Sequence, residues 1–240
     1  MWIILLKTSY YVDKASFPVR RALAIFAKQP VAGRVKTRMC PPLSPSDAAE
    51  LYRRMLADTL ARVTSLREVE ILLFFDPSGG TEDYFRGKWP DVTLFPQEGD
   101  GLGARLENAF RRVFSAGFTV AAAMGTDSPD LPLSRVEEAF RYLEQGTADV
   151  VFGPTTDGGY YLVAMGRLHP ELFRSIPWST GQVLAESLAR AEAASLLTSL
   201  LPRWEDVDTI RELRRFLLRK PDGTAPLTRE YATALEGRYL

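Results

Sequence analysis

The sequence has little of the chemistry that disulfides, zinc sites and membrane anchors require. Its 240 residues include one cysteine, Cys40, and one histidine, His169. An intrachain disulfide and a zinc site built from several cysteine and histidine ligands are therefore excluded. The apolar start at residues 2–6 is broken by Lys7 and is too short for a membrane span or a signal-peptide core. We expect a protein of the reducing cytoplasm without a membrane span.

The chain also lacks an excess of either charge. Thirty lysine and arginine residues balance thirty aspartate and glutamate residues. Because no global field then draws the protein to nucleic acid or to an anionic membrane, neither is an expected partner. Any phosphate binding must come from a local group of basic residues.

Short apolar runs alternate with amphipathic stretches along the chain. The runs at 22–27, 69–75, 92–95, 119–124 and 148–152 predict strands, and the stretches at 46–65, 102–116 and 134–145 predict helices. This alternation is typical of a three-layer α/β/α fold with a mainly parallel sheet. The run at 160–165 follows its predecessor too closely for a parallel crossover, so it should run antiparallel or leave the sheet.

The organisation along the chain indicates one domain. We assign residues 1–20 to an N-terminal extension, 21–220 to a single α/β domain and 221–240 to a peripheral C-terminal tail. Ser44 before Pro45 marks one helix start. Three capping boxes mark others, formed by Ser134 with Glu137, Ser179 with Gln182, and Thr209 with Glu212.

A basic loop follows the first predicted strand. Within eleven residues it carries Lys28, Gly33, Arg34, Lys36 and Arg38. Glycine permits close backbone approach, arginines grip phosphate oxygens in a planar fork and lysine supplies a compact charge, so the loop suits a polyphosphate. The alternative is a solvated basic loop. The spacing matches neither a P-loop nor a Rossmann fingerprint.

An acidic turn at 125–130 follows the fourth predicted strand. Ligands of open α/β sheets bind beyond the carboxyl ends of the strands, where this turn lies. Asp127 has no capping role if Ser134 and Glu137 cap the next helix. A hard cation such as Mg²⁺ takes one or two protein carboxylates and completes its shell with water and phosphate. Asp127 is thus the first candidate metal ligand, and Asp130 is a weaker one. An aspartate that only stabilises the turn is the alternative.

A second acidic segment precedes the last predicted helix of the domain. Thr209 caps that helix, and alternation turns Val207 inward, so Asp206 and Asp208 share the other face. One of them, by preference Asp208, could complete the metal site. Favourable interaction with the helix dipole is the alternative reason for acidic residues here.

Two glycine-rich segments could shape the substrate side. Gly101 and Gly103 open a predicted helix whose free amides could face a phosphate or a sugar. The other candidate substrate-binding residues are Asp157, Gly158, Gly159, Tyr160 and Trp178. Ordinary turn chemistry is the alternative for both segments. Trp178 is first a helix-start contact to Val183 and only second a wall of the substrate site.

Five motifs in this order resemble the GT-A-fold nucleotide-diphospho-sugar transferases. Within them, the chain is similar to a bacterial family of glycosyltransferases known as radical-SAM/selenodomain-associated transferases. The motifs lie at residues 26–38, 125–132, 157–163, 178–180 and 206–209, and the likeness spans 22–218. The first loop also resembles that of guanylyltransferases and molybdenum-cofactor nucleotidyltransferases, but residues 26–29 read Phe-Ala-Lys-Gln in place of their Leu-Ala-Gly-Gly.

The resemblance implies a transferase that needs Mg²⁺ or Mn²⁺. It makes Asp127 the metal-binding aspartate of the superfamily and Asp208 the second metal aspartate of the nucleotidyltransferase branch. Glycosyl transfer from a nucleotide-sugar to a small acceptor is the first hypothesis, with Asp157 as the base. The second is nucleotidyl transfer from a nucleoside triphosphate, in which Lys36 and its basic neighbours stabilise the departing pyrophosphate. A non-catalytic nucleotide or metabolite sensor is the third.

Overall fold

A computed structural model of the chain describes residues 19–219 and 224–239. The strands are β1 Arg21–Ala27, β2 Val69–Phe75, β3 Thr93–Pro96, β4 Val120–Met124, β5 Val150–Pro154, β6 Tyr160–Met165 and β7 Thr198–Leu200. The α-helices are α1 Pro45–Val63, α2 Glu82–Arg86, α3 Gly101–Ser115, α4 Leu133–Glu144, α5 Val183–Ala193, α6 Ile210–Leu218 and α7 Pro226–Tyr239. Short 3₁₀ helices span Thr37–Met39 and Pro170–Leu172.

The described strands form one sheet in the order β3-β2-β1-β4-β6-β5-β7. Strand β1 pairs in parallel with both β2 and β4, while β6 runs antiparallel to β4 and β5. The prediction for residues 160–165 is confirmed, because the short connection after β5 allows only an antiparallel return. The carboxyl ends of β1, β2 and β4 therefore meet at one edge of the sheet.

Both faces of the sheet are covered, which confirms the predicted three-layer α/β/α architecture. In β1, Leu23 and Ile25 lie in the core beneath α1, α2 and α4, whereas Ala22 and Ala24 lie in the core beneath α3 and α5. Successive side chains of a strand point to opposite faces, so a strand buried on both sides is apolar throughout. This accounts for the continuous apolar runs of the sequence.

The helix starts confirm two of the predicted caps and correct two others. The Ser44 side chain accepts a hydrogen bond from the Asp47 amide, and Thr209 forms a complete capping box with Glu212. Helix α4, however, begins at Leu133 after Pro132, and α5 begins at Val183 after Gln182, both without a side-chain cap. The boxes at Ser134 and Ser179 are therefore wrong.

Tertiary contacts explain both corrections. Leu131 and Leu133 reach the core on either side of Pro132, which fixes the start of α4 one residue before Ser134. At α5, the Leu184 amide donates to the Gly158 carbonyl, and the chain just before the helix contacts the 157–159 turn. Packing against the rest of the protein thus outweighs a local capping pattern.

The C-terminal segment packs into the domain instead of lying at its periphery. Thr228, Ala232 and Leu235 of α7 are fully buried, and the last two join a core cluster with α1 and α6. Residues 1–18, 220–223 and 240 lie outside the described residues, and so does most of the proposed N-terminal extension. The domain boundaries stay a prediction.

Asp58 of α1 attaches α7 to the domain. Its buried carboxylate accepts hydrogen bonds from the Leu227 amide at 3.3 Å and from the amide and hydroxyl of Thr228 at 2.7 Å each. The first amides of a helix have no partner within that helix, so they need an acceptor from elsewhere. Asp58 supplies this N-terminal cap from a different helix.

We expect Asp58→Ala to lower the free energy of unfolding by about 2–4 kcal/mol, because it leaves several buried donors unsatisfied. Urea unfolding followed by circular dichroism measures this change. The matched control is Glu230→Ala on the same helix, which removes an exposed ion pair with Arg54 and should cost less than about 1 kcal/mol. Equal losses in the two variants would contradict a capping role for Asp58.

Candidate active-site cleft

A cleft of about 650 Å³ opens at the carboxyl ends of β1, β2 and β4. Ligands of open α/β sheets bind at this edge, because the connections that follow the strands diverge there. The basic loop after β1 forms one wall, and the acidic turn after β4 and the segment before α6 form another. The structure thus brings together parts of the chain that are more than 170 residues apart.

A buried lysine bridges two aspartates in this cleft. The Lys36 Nζ lies 2.5 Å from Asp127 Oδ1 and 2.6 Å from Asp208 Oδ1, and the Lys36 side chain is only 3% exposed. Burial alone would lower the pKa of Lys36, but the two carboxylates outweigh it and raise that pKa well above its ordinary value. Burial likewise opposes ionisation of Asp208, yet the Lys36 ammonium holds the pKa of Asp208 below its usual range.

The two acidic segments are held side by side by hydrogen bonds. The Val207 amide donates to the Asp127 carbonyl at 2.8 Å, and the Ser128 hydroxyl donates to Asp206 Oδ1 at 2.5 Å. Burial, together with the nearby charge of Asp127, raises the pKa of Asp206 to about 7. Of the two aspartates before α6, Asp208 therefore meets Lys36, while Asp206 joins the segment to the turn after β4.

Tyr52 of α1 supports the base of the cleft and was not identified from the sequence. Its hydroxyl is 2.8 Å from Thr126 Oγ1 and accepts a hydrogen bond from the Lys28 amide at 2.9 Å. The ring centroid lies 6.0 Å from Lys36 Nζ. Burial is the main cause that raises the pKa of Tyr52 to about 12. In the sequence, Tyr52 is one more apolar position of an amphipathic helix, so no local signal marks it.

The four basic residues of the predicted loop all line the cleft. Lys36 has a left-handed backbone, with φ 49° and ψ 33°, just before the 3₁₀ helix. Arg34 donates to the Ser78 carbonyl at 2.7 Å, and Arg38 is 65% exposed with its Nη1 at 3.7 Å from Asp208 Oδ2. Gly33 supports the left-handed turn at φ 78° and is not itself part of the lining.

A polar cluster beneath α3 was also missed. Arg105 lies 3.4 Å from Asp76 and donates to Gln97 at 3.2 Å, and all three side chains line the cleft. Burial opposes ionisation of Asp76, but hydrogen bonds donated by the Ser78 amide and hydroxyl and the charge of Arg105 outweigh it and lower the pKa of Asp76. Asp76 directly follows β2, so inspection of every strand end would have found it.

The glycine-rich segments divide between the cleft and the packing around it. Gly101 and Tyr160 line the cleft, and Asp100 before α3 makes no side-chain cap. Gly103 does not line the cleft. A Cβ at this position would lie 2.3 Å from the Phe173 carbonyl oxygen and 2.5 Å from Trp178 Nε1. Gly103 therefore lets α3 pack against the 173–178 segment, and Trp178 lies behind the cleft wall.

The acidic turn at 157–159 lies outside the residues that line the cleft. Asp157 Oδ1 accepts hydrogen bonds from the Thr155 hydroxyl at 2.5 Å and from the Gly159 amide at 3.2 Å. A Cβ at Gly158, which has φ 93°, would lie 2.0 Å from the Gly181 carbonyl oxygen. These contacts are those of a tight turn packed against the chain before α5.

The weaker metal candidate, Asp130, has a different role. Its carboxylate is 3% exposed and lies 3.3 Å from Arg219 Nε and 3.8 Å from Arg229 Nη2. It also accepts a hydrogen bond from the Trp204 indole at 3.2 Å. Asp130 thus connects the turn after β4 to α6 and α7, and it does not line the cleft.

The cleft offers two carboxylates that could hold a divalent metal together with a phosphate. Within residues 19–219 and 224–239, no group of three or more His, Cys, Asp and Glu side chains is arranged to hold an ion. Asp127 and Asp208 nevertheless share one cationic partner, and Mg²⁺ commonly binds through one or two carboxylates plus substrate phosphates. The two side chains therefore fit Mg²⁺ or Mn²⁺ in the presence of a phosphate.

Comparisons with known proteins identify a sequence family and solved structures that resemble this chain. The family model described as an uncharacterized protein conserved in bacteria (DUF2064) matches residues 59–180. A crystal structure from Desulfovibrio desulfuricans G20, provisionally described as a nucleotide-diphospho-sugar transferase, has a TM-score of 0.85 and 28% sequence identity, covering 91% of this chain and 96% of that chain. The resemblance to nucleotide-diphospho-sugar transferases is confirmed.

More distant solved structures share the fold. A cytidylyltransferase from Leptospira borgpetersenii serovar Hardjo-bovis (strain JB197) has a TM-score of 0.53 at 11% identity, over 92% of this chain and 97% of its own. A 4-diphosphocytidyl-2C-methyl-D-erythritol synthase has a TM-score of 0.50 at 10% identity, over 90% and 99%. A search of the curated proteins finds no match. None of the described helices is long and apolar enough to cross a membrane.

We expect Gly103→Ala to lower the free energy of unfolding by about 1–3 kcal/mol, because the added methyl group overpacks the contact between α3 and Trp178. Gly237→Ala is the control, since a Cβ at Gly237 in α7 meets nothing within 4 Å and should leave stability unchanged or raise it by up to about 1 kcal/mol. Urea unfolding measures both. Unchanged stability of Gly103→Ala with loss of nucleotide binding would restore the phosphate-binding role.

Proposed function

The chain belongs to the bacterial DUF2064 family, and we propose that it is a divalent-metal-dependent glycosyltransferase that uses a nucleotide-sugar donor. The observation that carries this proposal is the buried Lys36 between Asp127 and Asp208, at the sheet edge and beside three further basic residues. A pair of carboxylates next to concentrated positive charge suits a metal-bound diphosphate. The name given to the Desulfovibrio relative supports the same substrate class.

The residues of the cleft divide into those that hold metal and those that hold phosphate. Asp127 and Asp208 would hold Mg²⁺ or Mn²⁺, which when bound neutralises charge on the phosphates of the donor. Arg34 and Arg38 would bind phosphate oxygens through their planar guanidinium groups, and Lys36 would add a compact charge. Lys28 extends this positive wall toward the carboxyl end of β2.

The reaction needs little proton chemistry from the protein. An acceptor hydroxyl oxygen attacks the anomeric carbon of the sugar, the bond from that carbon to the diphosphate oxygen breaks, and the nucleoside diphosphate leaves with the electron pair. The hydroxyl proton passes to a base. Asp157 as that base stays a prediction, and its hydrogen bonds within the 155–159 turn give it no support. Positioning and electrostatic stabilisation carry most of the catalysis.

Nucleotidyl transfer is the second candidate, favoured by the density of basic groups. Five positively charged side chains line the cleft, and four of them come from the loop after β1. They would stabilise the pyrophosphate released when a phosphorylated substrate attacks the α-phosphorus of a nucleoside triphosphate. The same carboxylate pair serves either reaction, so the product released distinguishes them.

The test offers a panel of nucleotide-sugars and nucleoside triphosphates with Mg²⁺ or Mn²⁺. We expect metal-dependent thermal stabilisation by at least one nucleotide, followed by release of nucleoside diphosphate. Asp127→Asn and Asp208→Asn should each abolish the metal dependence and reduce turnover by at least about a hundredfold, since each removes an oxygen ligand. Release of pyrophosphate instead would favour the second candidate.

Asp91→Asn is the matched control, because Asp91 is exposed and lies outside the cleft lining. Asp157→Asn tests the predicted base separately: a loss of turnover with intact metal-dependent binding would assign that role to Asp157. The proposal fails if no nucleotide binds, or if the Asp127 and Asp208 variants keep metal-dependent binding.

A further inference from the structure

The ammonium group of Lys36 occupies the position between the carboxylates that a cation would take. It contacts Oδ1 of both Asp127 and Asp208 within 2.6 Å, and its side chain is almost completely buried. A group this deep in the protein is held on one side by α1, where the Tyr52 ring faces it. The lysine is therefore part of the cleft wall and does not extend into solvent.

The charge of the carboxylate pair is already balanced in this arrangement. Lys36 contributes one positive charge between the two aspartates, and Arg38 approaches the other oxygen of Asp208 at 3.7 Å. Asp206 directs its carboxylate to the Ser128 hydroxyl. A divalent ion placed beside Asp127 and Asp208 would therefore meet a neutralised pair and an ammonium at close range, where like charges repel strongly.

We propose that Lys36 is a built-in counter-cation of Asp127 and Asp208, which excludes a free divalent ion until a phosphate group takes up its ammonium. The ligand of the cleft is then the metal–polyphosphate complex and not the metal alone. This inference rests on the proposed function only in placing metal and phosphate together in this cleft. It adds the order in which the site can be filled.

The side chain of Lys36 can exchange its two aspartate partners for a phosphate group. Its stem has four flexible methylene groups, and its backbone begins the 3₁₀ helix of the basic loop, beside Arg34 and Arg38. A phosphate that enters the cleft offers anionic oxygens to Lys36. It also supplies further oxygen ligands for the divalent ion, which two carboxylates alone do not provide. Phosphate binding thus removes the repulsion and completes the donor set in one step.

The test measures Mn²⁺ binding by water-proton relaxation enhancement, with and without inorganic pyrophosphate. The wild-type protein should bind Mn²⁺ weakly on its own and clearly once pyrophosphate is present. Lys36→Gln should bind Mn²⁺ alone at least about tenfold more tightly than the wild type, because the repelling charge is gone. Combining Lys36→Gln with Asp127→Asn should remove the gained affinity, which locates the ion.

Lys88→Gln is the matched control, since it changes the net charge by the same amount but removes an exposed side chain outside the cleft lining. Its effect on Mn²⁺ affinity should stay below about threefold, as expected for a screened surface charge. Lys36→Met is a second variant that keeps the length of the stem. Thermal melting confirms that each variant is folded before binding is compared.

The inference is overturned if the wild type binds Mn²⁺ alone as tightly as Lys36→Gln, or if Lys88→Gln has the same effect as Lys36→Gln. If neither Lys36 variant folds, the wild-type protein alone provides the test. The inference is overturned if its affinity for Mn²⁺ without pyrophosphate is within about threefold of its affinity with pyrophosphate. The Mn²⁺ measurement does not depend on turnover. Its result therefore stands even if the nucleotide panel that tests the proposed function yields no product. Turnover by a protein that binds free Mn²⁺ tightly would overturn only the order of binding.

Discussion

The bridge that Lys36 forms between Asp127 and Asp208 is the interaction on which the cleft depends. It joins the loop after β1, the turn after β4 and the segment before α6, three parts of the chain that are far apart in the sequence. Without a positive group between them, two carboxylates at this distance would repel each other in a partly dry site. In the proposed function, the same ammonium group that joins these three segments would also contact the phosphates of the substrate.

The carboxyl-terminal helices support this arrangement from behind. Asp130, three residues after Asp127, pairs with Arg219 and Arg229 and so connects the turn after β4 to the chain beyond α6. Asp58 caps α7 from α1, the helix that also carries Tyr52. The buried carboxylates outside the cleft are thus satisfied by structural partners. Asp127 and Asp208 differ from them because they are partly exposed and share one buried lysine.

The sequence predicted strands β1 to β6, the antiparallel direction of β6 and the basic loop, because buried strands and strand-end ligand residues leave local patterns. It did not predict β7. It also selected Asp127 and Asp208, although the cap at Ser134 used to argue for Asp127 is absent. The roles of Tyr52 and Asp130 could not be predicted, since they depend on distant partners such as Thr126 for Tyr52 and Trp204 for Asp130, each 74 residues away. The packing role of Gly103 was not predicted for a related reason: a glycine needed for close packing looks the same in sequence as one that approaches a ligand.

The central claim is a metal–nucleotide site at Asp127 and Asp208, and a crystal grown with Mn²⁺ and a bound nucleotide tests it most directly. The account predicts an anomalous manganese peak within bonding distance of both carboxylates and of a phosphate oxygen, with Lys36 turned to the phosphates. A manganese peak at Asp206, Asp76 or Asp157, or a bound nucleotide whose phosphates lie away from the basic loop, would contradict it.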